Sequence, residues 1–128
     1  MKPSFTVKNI YFGSYRLCKE ISQSGTPRTR YWLFKKFAKS PIGGVHYNNE
    51  EVYDLWINRN YRRKGLARKL MEEIIKDYGD GYLSIEADGD GEVTNAQLRC
   101  FYRSLGFKSP QQYHNLMYRE GNKQDEKD

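Results

Sequence analysis

Hydrophobic and polar positions follow two rhythms along the chain, and the change falls near Tyr61. Before it, short runs alternate with the two-residue period of half-buried strands. Phe5 to Ile10 alternates as a first strand, while Ser14 to Ile21 fits either a second strand or a short helix. The polar cluster Ser22 to Pro27 is a turn or an exposed loop. The aromatic run Tyr31 to Ala38 predicts a strand, which Ser40-Pro41 breaks. Ile42 to Tyr47 and Glu51 to Ile57 read as two further strands joined by a hairpin turn at Asn48-Asn49, so the middle of the chain is an antiparallel meander.

Beyond Tyr61 the period becomes helical. Leu66, Leu70, Met71, Ile74, Ile75 and Tyr78 recur on one face, charged residues fill the other, and Gly79 closes the run as a C-terminal glycine. Tyr82 to Ala87 alternates again, so strand, helix and strand from Glu51 to Ala87 make a right-handed crossover between two parallel strands. An acidic glycine loop follows at Asp88 to Glu92, then a second helical pattern from Asn95 to Leu105 that Gly106 terminates. Phe107 and Asn115 to Arg119 are expected as closing strands, and residues 120–128 as a disordered charged tail. The expectation is an α/β (mixed α+β) fold: one domain over residues 1–119, with a mostly antiparallel sheet that includes one parallel pair, flanked by helices.

Composition narrows the class. A chain of 128 residues is one ordinary domain, and 15% aromatic content supplies the large side chains of a real core. No apolar run approaches the roughly 18–20 residues of a spanning helix, and the N-terminus lacks a signal-peptide core, so a soluble, cytoplasmic protein off the membrane is expected. Cys18 and Cys100 are far apart without metal-ligand spacing, and His46 and His114 each stand alone, so no metal site is suggested. Residues 1–64 hold 13 Lys and Arg against 4 Asp and Glu, whereas residues 65–128 hold 9 against 12. The basic half suits nucleic acid, a phosphate-bearing cofactor or an acidic surface.

The basic charge concentrates at Arg62-Arg63-Lys64-Gly65-Leu66-Ala67, where a strand gives way to a helix. Helix N-termini carry positive partial charge and unpaired N–H groups, so three added cations are unfavourable unless an anion binds. A phosphate-bearing ligand is the chemical reading, and a solvated basic helix end the plainer one. Gly65 permits close approach of such a ligand to the backbone, and small Ala67 leaves the first turn unobstructed.

Ile57 to Ala67 resembles the acetyl-CoA signature of the GNAT N-acetyltransferases, an Arg/Gln-x-x-Gly-x-Gly/Ala loop after a strand ending in Val or Ile. Asn95-Ala96-Gln97-Leu98-Arg99-Cys100-Phe101-Tyr102-Arg103-Ser104-Leu105-Gly106-Phe107 is similar to the family's Asn-to-Tyr helix that ends in Gly-Phe, with Leu98 where Ala is usual. The likeness covers roughly residues 42–119. It implies that the loop residues Arg62, Arg63, Lys64, Gly65, Leu66, Ala67 and Arg68 grip the pyrophosphate of acetyl-CoA, the co-substrate. The backbone of Leu55, Trp56 and Ile57 is expected to pair with the pantetheine arm between two splayed strands. Asn95 and Tyr102 are expected beside the thiol, with Tyr102 as general acid. An amine acceptor must lose a proton before it attacks. The resemblance makes Glu51 the leading base, and Asp54 is the alternative, on the opposite face unless a bulge intervenes.

Asp88, Asp90 and their neighbours fit the opening of a calcium loop, but Gln97 stands at its twelfth position and calcium is rejected. These acids are expected instead either to face the acceptor and attract a cationic amine or to form a plain solvated turn. Between Phe5 and Tyr31 there is little room for the two helices that usually cover the family's acceptor site, so an open site is expected, suited to a macromolecular amine or completed by a homodimer partner. Three readings remain: an acetyl-CoA-dependent N-acetyltransferase; a basic nucleic-acid-binding module without cofactor, using Tyr31, Trp32 and Phe34 to stack bases; and a catalytically inactive CoA-binding interaction protein.

Overall fold

The computed structural model describes residues 5–22, 25, 28–89, 92–109 and 115–121. In these residues a seven-stranded sheet forms in chain order: β1 (Phe5–Phe12), β2 (Tyr15–Ser22), β3 (Arg28–Lys35), β4 (Gly43–Asn48), β5 (Glu51–Ile57), β6 (Tyr82–Glu86) and β7 (Leu116–Glu120). Neighbours are antiparallel except β5 and β6, which α1 (Leu66–Tyr78) joins as a crossover. α2 (Asn95–Ser104) stands between β6 and β7. The expected α/β fold, with one parallel pair in an otherwise antiparallel sheet, is the fold observed.

Ser14 to Ile21, ambiguous in sequence, is strand β2. It pairs with β1 through a turn in which Gly13 takes φ +54. The space before Tyr31 therefore holds a hairpin that widens the sheet. β3 starts at Arg28 and ends at Lys35, offset from the aromatic run, because polar Thr29 is one of its buried residues. The hairpin turn falls at Asn49-Glu50, one residue later than the sequence suggests. Both residues have positive φ, +50 and +73, as a two-residue turn matched to strand twist requires. Phe107 is a buried residue just ahead of a lone bridge between Lys108 and Tyr118, not part of a strand. Glu120, assigned to the tail, is the last rung of β7 opposite Tyr82. His114 and residues 122–128 lie outside the described residues.

One sheet face carries the core. Leu17, Tyr31, Val45, Val52, Ile85 and Met117 point to it and meet Leu70, Met71 and Ile74 of α1, with Tyr102 and Phe107 beside them. A charged network crosses the same layer. Lys19 is almost fully buried on β2, with Nζ 2.7 Å from Asp77 Oδ2 and 3.1 Å from Glu73 Oε1, the second contact being an ion pair without hydrogen-bond alignment. The Tyr31 hydroxyl donates to Asp77 at 2.8 Å, Thr29 and Tyr78 share a hydrogen bond, and the Tyr47 and Tyr78 rings stack at 3.9 Å. The second half of α1 is thus fastened to β2, β3 and β4.

Residues directly opposite in antiparallel strands share a face, so Glu20, Trp32, His46 and Tyr53 lie on the other side of the sheet. That side carries no helix among the described residues.

Candidate active site

β5 and β6 pair only at Glu51 with Ser84 and at Val52 with Ile85. Beyond Val52 the two strands part, and Tyr53 to Ile57 have no rung on β6. β5 remains on β4, but with an extra residue: Asp54 and Leu55 together oppose Val45, and Asp54 takes φ +56. This bulge turns Asp54 onto the helix-free face, the face of Glu51.

The parted strands lead into a cavity of about 400 Å³. Leu55, Trp56 and Ile57 line one side, and Arg62, Arg63, Gly65, Leu66, Ala67 and Arg68 line its basic end. Leu98 and Phe101 of α2 close the far wall. The chain reaches the basic end through one 3₁₀ turn, Arg59–Tyr61, in which Asn58 Oδ1 accepts the Asn60 N–H at 3.0 Å. Arg63 at φ +63 and Gly65 at φ +77 then swing the backbone into α1. Gly65 is the N-cap, so no side chain caps the helix, and no acid occupies its first turn. A Cβ on Gly65 would meet nothing within 4 Å. The end of a 13-residue helix therefore opens toward the cavity with Arg62, Arg63 and Arg68 beside it and no acid in its own first turn.

Two of those cations also brace the site. Arg62 donates from Nε to the Ile57 carbonyl at 2.9 Å and from Nη1 to Glu92 at 2.9 Å, and Arg59 joins the same carboxylate. Arg68 donates to Ser104 Oγ at 2.6 Å and lies over the Phe101 ring, tying α1 to α2. Lys64 is exposed and does not line the cavity. Asn95 is also off the lining: its Oδ1 accepts the Gly89 N–H at 2.6 Å and shapes the loop before α2. Tyr102 does not line the cavity either: it is 3% exposed between Phe101 and Phe107, and burial pushes its hydroxyl up to about 12, so it is protonated at neutral pH.

Asp88 lines the cavity, and Glu92 pairs with Arg59 and Arg62. Asp90 lies outside the described residues. His46, which stands alone in the sequence, is brought by the bulge to 3.9 Å from Asp54, Nδ1 to Oδ2. Its ring meets Trp32 and Tyr53 edge-on, each at 5.4 Å between centroids. Burial lowers its pKa, Asp54 raises it, Arg30 lowers it and Glu20 raises it. The net direction is downward, so the imidazole is neutral at pH 7.

The model of the acetyltransferase (GNAT) domain matches residues 27–109. The chain belongs to the GNAT family. The match spans β3 to α2, and so includes the parted strands, the basic turn and both helices of this GNAT domain. Acetyl transfer is accordingly the general activity class of this GNAT chain. No curated protein and no solved structure matches it.

Proposed function

We propose that the protein is an acetyl-CoA-dependent N-acetyltransferase that passes the acetyl group to a primary amine by direct attack while both substrates are bound. The observation that carries this reading is the continuity of two features. An uncapped helix end flanked by arginines opens into the same cavity as the stretch of β5 that has parted from β6. A nucleotide pyrophosphate fits the first and an extended amide-bearing arm fits the second, where it adds as a strand.

In this reading Arg62, Arg63, Lys64 and Arg68 supply positive charge around the pyrophosphate. Gly65, Leu66 and Ala67 present backbone N–H groups. Leu55 and Trp56 offer the strand edge, whereas the Ile57 carbonyl is already taken by Arg62. Asn95 holds the loop that frames the thiol end, and Tyr102 is the proton donor to the departing sulfur. The acceptor amine loses its proton on the helix-free face, where Glu51 and Asp54 stand. The nucleic-acid alternative is weakened by its own aromatics, since Tyr31 is fully buried and the Trp32 indole is bonded to Glu20 at 2.9 Å.

Calorimetry with acetyl-CoA tests the reading. Micromolar binding is expected, and Gly65→Glu, which sets bulk and negative charge against the pyrophosphate, is expected to weaken it at least about 100-fold, or about 2.7 kcal/mol. Absence of binding to the wild-type protein overturns the proposal.

A further inference from the structure

We infer that the helix-free face over β3 to β5 is the acceptor site, that its acceptor is a lysine side chain carried on a polypeptide, and that His46 takes the proton from the lysine ammonium. The inference rests on the cavity being the acetyl-CoA site. Four rings crowd this face. Trp32 and Tyr53 contact His46 edge-on, and Gly44 leaves room for Trp56: a Cβ there would come within 3.1 Å of Trp56 Nε1 and 3.2 Å of Trp32. Aromatic surface flanked by carboxylates favours an organic cation.

The charge of the face runs against that of the chain. The protein carries a net +6, yet Glu20, Glu51, Asp54, Glu86 and Glu120 share this side with Arg16, Arg28 and Arg30. The anion-seeking cavity and this cation-seeking face therefore meet at β5, where Trp56 belongs to both. A small amine needs enclosing walls to be held, and here the described residues provide a sheet surface without a covering helix. Its outer parts carry exposed apolar side chains, Val7 and Tyr11 on β1 and Tyr82 on β6, which a polypeptide covers and a small molecule does not.

A lysine ammonium, with a pKa near about 10.4, is almost wholly unreactive at neutral pH. His46 is neutral there, and the Asp54 carboxylate favours the tautomer protonated on Nδ1, leaving Nε2 as the base. Asp54 is a positioning residue. Nε2 takes one ammonium proton, and the freed lone pair forms the N–C bond to the acetyl carbon as the C–S bond breaks, its electron pair staying on sulfur. Sulfur gains a proton from Tyr102, which recovers the proton shed by the new amide nitrogen, and His46 returns its own to solvent.

The test compares a capped lysine homopolymer with Nα-acetyl-lysine amide as acceptors, reading release of free CoA thiol. The polymer is expected to show a kcat/KM about tenfold or more above the single amine, and Glu51→Gln with Asp54→Asn to reduce that advantage. His46→Gln and His46→Asn are expected to lower kcat about 100-fold while leaving acetyl-CoA affinity unchanged, which also reports that the variants fold. Asp54, Arg30 and Glu20 are the charges facing His46. Asp54→Asn is therefore expected to move the acid limb of the rate, and the His46 titration followed by NMR, to lower pH, and Arg30→Gln to higher pH. Equal efficiency of the two amines, wild-type kcat in both His46 variants, or an acid limb unmoved by either charge change overturns the inference. Acetyl-CoA binding with transfer to neither amine overturns it while leaving the cofactor reading intact, whereas loss of acetyl-CoA binding in the wild type removes both.

Discussion

Gly65 and Asp54 both stand in the left-handed backbone region, for opposite reasons. At Gly65 the space beside the α-carbon is open, so only the backbone argues for glycine. Gly65→Ala is expected to cost about 1 kcal/mol in urea unfolding, from the left-handed penalty alone. A near-neutral result would mean that the turn relaxes to another conformation. This glycine was legible in the sequence because basic residues and a helical rhythm meet there. His46 was not. Its chemical meaning depends on Asp54 facing it, and strict alternation places Asp54 on the other side of the sheet. One inserted residue in β5 reverses that, and nothing in the local pattern Val52-Tyr53-Asp54-Leu55 announces a bulge.

Elements with a periodic face and a chemical stop were readable to within a residue or two. α1 ends at Gly79 as expected, and β5 spans the predicted Glu51 to Ile57. α2 begins at Asn95 behind a reciprocal cap, with Thr94 Oγ1 accepting the Gln97 N–H at 3.1 Å and Gln97 Oε1 accepting the Thr94 N–H at 2.9 Å. Thr94→Ala is expected to lower stability by about 1 kcal/mol, measured by chemical denaturation, because the Gln97 N–H loses its acceptor at the helix start. In the β4–β5 hairpin, Glu50 holds φ +73 where glycine is at ease. Glu50→Gly is expected to raise the melting temperature modestly, by the equivalent of about 0.5 kcal/mol. β2 was ambiguous for a physical reason: its inward position 19 is a lysine, which any hydrophobicity rule assigns to the surface. Only α1, delivered by the fold with Glu73 and Asp77, makes that lysine an inward residue.

At the scale of the molecule this network sets the alkaline limit. Burial pulls the Lys19 pKa down, but the hydrogen bonds and charges of Asp77 and Glu73 outweigh it, and the net shift is upward. Burial and the Asp77 carboxylate raise Tyr31 as well. Both groups bind their protons more tightly in the folded state, so their contribution is complete below the unfolded values near pH 10 and declines as pH rises beyond them. Melting temperature is expected to fall steeply above about pH 10. Lys19→Met is expected to cost about 3 kcal/mol at neutral pH, since it strands two acids at the sheet, and to make the alkaline fall shallower. An unchanged alkaline profile in Lys19→Met would assign the limit to other groups.

The same fastening separates what marks the family from what can fold. The family match begins at residue 27 and ends at 109, and so omits β1, β2 and β7. Yet β2 contributes Leu17 and Lys19, and β7 contributes Met117, to the layer under α1. A polypeptide trimmed to the recognisable span would keep every residue of the basic turn while baring one flank of Tyr31 and leaving Asp77 without its counter-ion. Such a fragment is expected to be expanded and to bind hydrophobic dyes. The recognition signature is smaller than the cooperative unit, and the outer strands are part of what keeps the helix end still enough to hold an anion.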